Sequence, residues 1–346
     1  KNSFNFSNEN LTEIVFKHSE DYFNEKHKVH TLVEFTTKKA AKSFYEFLEK
    51  ENYFQEYELV FMDGTVLEPR RLEIINYLKS TEKSNKIIIV ATQVIEAGLD
   101  IDMDLGFKDI SILDSDEQFA GRINRNASKS NSVVYLFNTS NARYVYKNDL
   151  RFDEQKKIDR NLLNEILETK DFDKYYSMVF NNINTYSNDI FAENIHSFIN
   201  YMKLLNYNEV KAKFKLIDSN TISVFVPLSI NKEHFTKNEM QYMIEAKITN
   251  ELDLEINGEN VFDFYKNLII TKKENKDFLK FKAESKILSS IMSKFIFNTY
   301  FNPKGNNSLW HNCEETFGYL YLSNWRKIYS YRNGLQLDQD DDWNFI

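Results

Sequence analysis

The chain has 346 residues, 42% of them hydrophobic and 15% aromatic, with 8 glycines and 3 prolines. Such content builds packed cores and excludes a disordered tail or a collagen-like chain, and the length suits roughly two or three domains. Lys and Arg total 44 against 52 Asp and Glu, a net charge of -8. This excludes a histone-like coater of DNA but not a local basic groove.

A single cysteine, Cys313, excludes a disulfide framework and a Cys-rich zinc site, and fits a reducing, cytoplasmic setting. No apolar run approaches the roughly 20 residues needed to cross a bilayer, so no membrane partner is expected. The start, Lys1-Asn2-Ser3-Phe4, is not a signal peptide and lacks an initiator Met. It reads as a fragment or a processed chain.

From residue 29 to 137, short apolar runs alternate with amphipathic stretches. Val29 to Thr36 predicts a strand. Lys38 to Lys50 predicts a helix, with Ala41, Phe44, Tyr45 and Leu48 at helical spacing. Glu58 to Met62 is the next strand, stopped by Asp63-Gly64. Pro69 suits the start of a helix running to about Ser80. Lys86 to Ala91 is continuously apolar and β-branched after its first residue, the pattern of a strand buried on both faces of a parallel sheet. Asp109 to Leu113 and Ser132 to Phe137 complete the strands. The alternation predicts an α/β fold with an open parallel sheet and flanking helices.

Beyond residue 140 the character changes. Arg151 to Glu168, Asp171 to Asn184, Asp189 to Leu205, Glu239 to Leu252 and Phe278 to Phe301 read as helices, and Thr221 to Pro227 as a strand. Short aromatic runs from Phe317 and the turn Asn333-Gly334 suggest a hairpin. The domain reading is 1–140 for the sheet lobe, 141–260 for a mainly helical linker region and 261–346 for a small α+β accessory domain. The acidic run Asp338 to Asp342 reads as a solvated tail.

Chemistry concentrates in two stretches. Thr92, Gln93, Glu96, Gly98 and Asp100 follow the carboxyl end of a buried strand, the edge where open α/β sheets bind ligands. Thr92 and Gln93 offer donors to phosphates or sugars. Gly98 permits a turn at no steric cost. Asp100 suits a ribose hydroxyl or an arginine, and Glu96 either a general base or a loop anchor. Eighteen residues after Asp100 comes Gln118-Phe119-Ala120-Gly121-Arg122-Ile123-Asn124-Arg125. Arg122 and Arg125 share a face if helical, and two planar forks aimed one way suit a polyphosphate.

Together the stretches resemble motifs V and VI of superfamily 2 helicases: Thr92-Gln93-Val94-x-Glu96-x-Gly98-x-Asp100 and Gln118-x-x-Gly121-Arg122-x-x-Arg125. The wording is most similar to the CRISPR-associated helicase–nuclease of type I systems. Leu32 to Ala41 resembles motif IV. Phe61-Met62-Asp63-Gly64 and Pro69-Arg70-Arg71 stand where that family has its next strand and an Arg-led helix. The resemblance covers residues 29–137.

The resemblance implies a RecA-like second lobe. ATP and Mg2+ would be held mainly by a first RecA-like lobe, and an HD nuclease domain would cut the DNA. Arg122 and Arg125 would act as phosphate arginines, with Gln118, Gly98, Asp100 and Gly121 on the nucleotide side. Thr36, Thr37, Thr92 and Gln93 would meet single-stranded DNA. The CRISPR surveillance complex would recruit the enzyme.

No Gly is followed by Lys and no His by Asp, so this chain has neither a P-loop nor the HD signature that supplies the nuclease metals. Asp116-Glu117 leads into motif VI and is not a magnesium motif. His311 with Cys313 gives two ligands, too few for a metal. Where the family usually has Arg after the motif VI Gln, Phe119 stands, a departure that gives weight to a degenerate lobe and that, if the ring packs beneath motif VI, makes it an apolar support. This chain alone is therefore expected to hydrolyse no ATP. The rival readings are the equivalent lobe of another superfamily 2 DNA or RNA helicase, a degenerate lobe that only binds nucleic acid or protein, and an interaction protein acting through its helical half.

Overall fold

The computed structural model describes residues 7–96, 100–147, 149–213, 221–271, 278–300 and 307–336. Its first half runs α1 (Asn8–Lys26), β1 (Val29–Glu34), α2 (Lys38–Lys50), β2 (Glu58–Met62), α3 (Glu68–Lys79), β3 (Lys86–Ala91), β4 (Leu105–Asp109), α4 (Leu113–Ala120) and β5 (Val133–Phe137). The five strands are parallel in the order β2-β3-β1-β4-β5. This is the RecA-like open sheet with flanking helices.

Neighbouring residues along each strand face opposite layers, because side chains alternate across a pleated sheet. Val33, Phe61 and Val90 pack with α1 and α2 through Leu11, Val15 and Phe44. Leu32, Val60 and Ile89 pack with α3 and α4 through Ile74, Leu78 and Phe119. The second half of α2 is held by its amphipathic face, and its start by Thr37, whose hydroxyl accepts from the Ala40 N–H at 3.4 Å.

Several expectations need correction. The strand expected at Asp109 to Leu113 is β4, four residues earlier, and Leu113 begins α4. The helix expected over Arg151 to Glu168 is two, α6 (Leu150–Gln155) and α7 (Arg160–Thr169), after a short α5 (Ala142–Val145). The two helices expected between Asp171 and Leu205 are one, α8 (Phe172–Lys203), followed by α9 (Tyr207–Lys213). The sequence reading also placed no helix before Val29, where α1 lies.

These helices dock on the lobe. Leu113 joins Ile158, Ile166, Tyr175 and Val179 in one apolar cluster. The Gln155 side chain accepts from the Leu113 N–H at 2.7 Å and donates to the Ser111 carbonyl at 3.0 Å.

The remainder comprises β6 (Thr221–Phe225), β7 (Ser229–Asn231), α10 (Lys237–Glu245), β8 (Glu255–Asn257), α11 (Gly258–Thr271), α12 (Phe278–Ser293) and β9 (Ile296–Tyr300). It ends with α13 (Asn307–His311), β10 (Glu314–Thr316), β11 (Tyr319–Tyr321), α14 (Trp325–Ile328), β12 (Tyr329–Ser330) and β13 (Gly334–Leu335). The helix expected over Phe278 to Phe301 thus ends at Ser293 and gives way to β9. The helix expected over Glu239 to Leu252 is the shorter α10.

A four-stranded sheet, β10-β11-β6-β9, and one apolar core from Val224 to Leu335 run across residue 260, where the sequence reading set a boundary. The hairpin around Asn333-Gly334 is present as β12 and β13. It seats on the first half: the Tyr329 hydroxyl donates to the Thr65 carbonyl at 2.8 Å, and the Leu335 N–H to the Thr65 hydroxyl at 3.0 Å. Gly334 is required there, with φ +71° and Thr65 where a Cβ would lie.

Candidate functional site

Because β3 and β4 are parallel, the segment between them must travel from the carboxyl edge of the sheet back to its amino edge. Thr92 and Gln93 stand at the first edge, and Asp100 to Asp104 lead into the second. The turn after α4 meets this returning segment. Met103 donates to the Arg122 carbonyl and accepts from the Asn124 N–H, both at 2.9 Å, and the Arg125 N–H donates to Asp102 at 3.0 Å. Arg122 and Arg125 therefore lie on a strapped turn rather than one helical face, because α4 ends at Ala120.

The turn has a floor. Phe119 is fully buried, with its ring and Ile123 filling the space where a side chain on Gly106 would go. The Phe119 ring thus packs beneath the arginine turn.

Arg125 pairs with Asp100 at 2.8 Å, and Asp100 also takes Lys79 at 2.6 Å. The Lys79 hydrogen bond, aided by Arg125, holds the Asp100 carboxyl below its ordinary value. Arg122 is partly buried and donates to the Glu96 carbonyl, while its Nε is buried without a partner among the described residues. Burial, then the neighbouring Arg125 charge, lowers its pKa, so an anion here would relieve both costs. Gln118 is exposed on α4. Gly121 caps α4 with an ordinary φ of -66°. Gly98 lies outside the described residues.

The residues assigned to DNA gather at the carboxyl edge. Gln93 donates to the Thr36 carbonyl at 3.2 Å, and Thr92 closes on the Met62 carbonyl through its N–H at 3.2 Å. Thr36 donates both its hydroxyl (2.6 Å) and its N–H (3.3 Å) to Asp109, which also takes the hydroxyl and N–H of Thr139. Thr37 is buried as the cap of α2.

Between the two groups lies a buried ion cluster that the sequence reading missed. Lys108, fully buried on β4, donates to Glu34 of β1, to Glu96 at 2.9 Å and to Ser115 at 2.9 Å. Burial disfavours its ammonium, but Glu34 and Glu96 outweigh that and raise its pKa. Burial pushes the Asp116 carboxyl up to about 6 and Glu34 well above the usual range. The signal was a lysine inside a strand buried on both faces, hidden because that strand was placed four residues late. Among the described residues, no three His, Cys, Asp or Glu group to hold a metal ion, and no helix is long and apolar enough to cross a membrane.

The parallel sheet thus carries two arginines strapped to the segment that returns from Thr92 and Gln93 to β4. Residues 27–128 match the family model described as CRISPR-associated nuclease/helicase Cas3, C-terminal. The lobe is thus Cas3-like over less than a third of the chain.

No curated protein matches. The crystal structure of T. fusca Cas3 is similar at TM-score 0.46 and 13% identity, over 85% of this chain and 36% of that one. A CRISPR RNA-guided surveillance complex, pre-nicking, gives TM-score 0.40 at 13% identity, over 85% and 37%. Mss116p DEAD-box helicase domain 2 bound to an RNA duplex gives 0.31 at 17% identity, over 39% and 54%. The chain spans about a third of the length of the solved Cas3 chains it matches.

Proposed function

We propose that this chain is the C-terminal half of an ATP-driven, single-stranded DNA translocase and nuclease of type I CRISPR interference, recruited by the guide-RNA surveillance complex. The observation that carries the reading is the convergence of Arg122, Arg125 and Asp100 on one turn of a Cas3-like lobe. The donor set suits the phosphates of a nucleoside triphosphate, with two guanidinium forks, one of whose Nε is buried with no partner among the described residues, while the Mg2+ would be held by a first lobe. A bound triphosphate supplies the phosphoryl group to be transferred. Arg122 and Arg125 would hold its phosphate oxygens, Gln118 and Asp100 would flank them, and the phosphate cradle would come from a first lobe. Thr92 and Gln93, with Thr36 and Thr37 behind them, set the edge along which a DNA backbone would lie. Nuclease chemistry would belong to an HD domain outside this chain.

The test is turnover. The chain alone should release no phosphate above background, with or without DNA. Joined to a first lobe, it should show DNA-stimulated turnover, and Arg122→Ala or Arg125→Ala should lower it by about 10³-fold, the scale of arginine-finger losses, without loss of fold. Arg→Lys should fail too, since a point charge does not replace a planar fork. Near-normal turnover in Arg125→Ala would remove the reading. Single strands should bind the lobe weakly and less so as salt rises, and Thr92→Val should weaken that binding.

A further inference from the structure

Glu96 touches both halves of the site. Its side chain is held by Lys108 at 2.9 Å and by the Ser115 hydroxyl, and its backbone carbonyl receives the Arg122 guanidinium. Lys108 has three N–H donors and three acceptors around it, on β1 (Glu34), the motif V turn (Glu96) and α4 (Ser115). It is fully buried, so no water competes for these bonds. Ser111 extends the cluster, 2.9 Å from Ser115 and 3.0 Å from Asp116. Hydrophobic packing alone would not place Glu96, whose carboxylate would otherwise turn to solvent.

We infer that Lys108 is a positioning residue: by clamping Glu96 to β1 and α4 it fixes the carbonyl that aims the Arg122 guanidinium. This rests on the nucleotide reading above for its effect on turnover, but the clamp itself concerns only this chain. Glu34 stands two residues before Thr36, so the clamp also joins the strand end at the DNA-side edge to the arginine turn. A guanidinium that loses its aim by about 1 Å loses up to about 10²-fold in rate while its substrate still binds.

The experiment uses Glu96→Ala, which removes the clamped carboxylate but leaves Lys108 its Glu34 partner and the fold its buried ion pair. In the two-lobe enzyme kcat should fall by about 10-fold to 10²-fold, KM for ATP should stay near the parent value, and Glu96→Gln, which keeps an acceptor for Lys108, should recover most of the loss. In the Arg122→Ala background Glu96→Ala should cost nothing further, because the arginine it aims is gone. Full activity in Glu96→Ala, or losses that add, overturns the clamp.

If Arg122→Ala itself leaves turnover intact, the nucleotide reading has failed, and hydrogen exchange on this chain decides the clamp separately. Residues 119–125 should exchange faster in Glu96→Ala at an unchanged melting midpoint; unchanged exchange overturns it. Lys108→Met should reproduce the Glu96→Ala pattern if it folds. If it does not, the Glu96 variants decide alone.

Discussion

The two main sheets of the molecule are built on opposite plans. The five-stranded sheet is parallel, with β1, β3 and β4 buried on both faces and Thr36, Thr92 and Gln93 standing just beyond strand ends. The four-stranded sheet is mixed and short, and aromatic rings fill its core: Phe225 lies against Phe262, Phe295 and Tyr321, and Phe262 against Tyr321, at centroid distances of 4.8–6.0 Å. A parallel sheet lays all its loops to one ligand at one edge, so chemistry collects there. A mixed sheet with aromatic packing collects area instead, and here that area presses on the lobe through Tyr329 and Leu67. Under the proposed function, turnover should be sensitive to a few polar contacts in the first half, while the second half acts through packing.

The sharpest way to break this comparison is to damage the lobe's own packing beneath its arginines. Phe119→Ala empties a fully buried ring from between Gly106 and the arginine turn. It should lower unfolding free energy by about 3–5 kcal/mol, read by chemical denaturation of this chain. Phe119→Arg should melt lower and gain no turnover, since the family's usual arginine would here be buried against β4. A gain of turnover in Phe119→Arg would mean that the aromatic floor is a lesion, and that the polar edge is not what limits the lobe.

The lobe was legible because its signals are local. Ile87 to Ala91 and the spacing of Phe44, Tyr45 and Leu48 state strand and helix without reference to anything distant. β4 failed for the opposite reason. Gly106, Lys108 and Asp109 look like loop residues until Glu34, 74 positions earlier in chain, and Thr36 are seen to satisfy them. The apolar Ile110, Ile112 and Leu113 then drew the expected strand forward. β9 was read as helix because its partner, β6, pairs with it across some 75 residues.

At the site, Arg122, Arg125 and Asp100 were legible as charges that must meet something. Thr36 was legible only as a hydroxyl. That its proton goes to Asp109 depends on the register of β1 against β4, which no single segment records.

A smaller effect tests the second half. Tyr329→Phe deletes the buried hydrogen bond to the Thr65 carbonyl while keeping the ring stacked on Phe297 at 5.8 Å. Leaving one buried carbonyl without its partner should cost about 1–3 kcal/mol. If the hairpin binds the lobe mainly by packed area, Tyr329→Phe should stay docked, and Tyr329→Ala should free the hairpin to protease. Equal protease resistance of Tyr329→Ala and the parent would show that the aromatic plan does not hold the halves together.

The smallest expected effect lies at the rim of the arginine turn, and its size discriminates between stability and aim. Lys79 and Asp100 form an exposed pair, with side chains 52% and 65% accessible, so solvent and salt screen it. Lys79→Ala should leave the melting midpoint where it is. Its trace should appear elsewhere: Asp100, no longer shared, is left to Arg125 alone at 2.8 Å. The Asp100 carboxyl, held low first by Lys79 and then by Arg125, should titrate at higher pH in the variant, measurable by carboxyl NMR shifts. The sign follows from removing a cation, since fewer positive charges nearby favour the protonated acid. A melting shift without a change in that titration would place Lys79 in the fold instead of the site, and would blur the contrast between a lobe that works at its edge and a domain that works by packing.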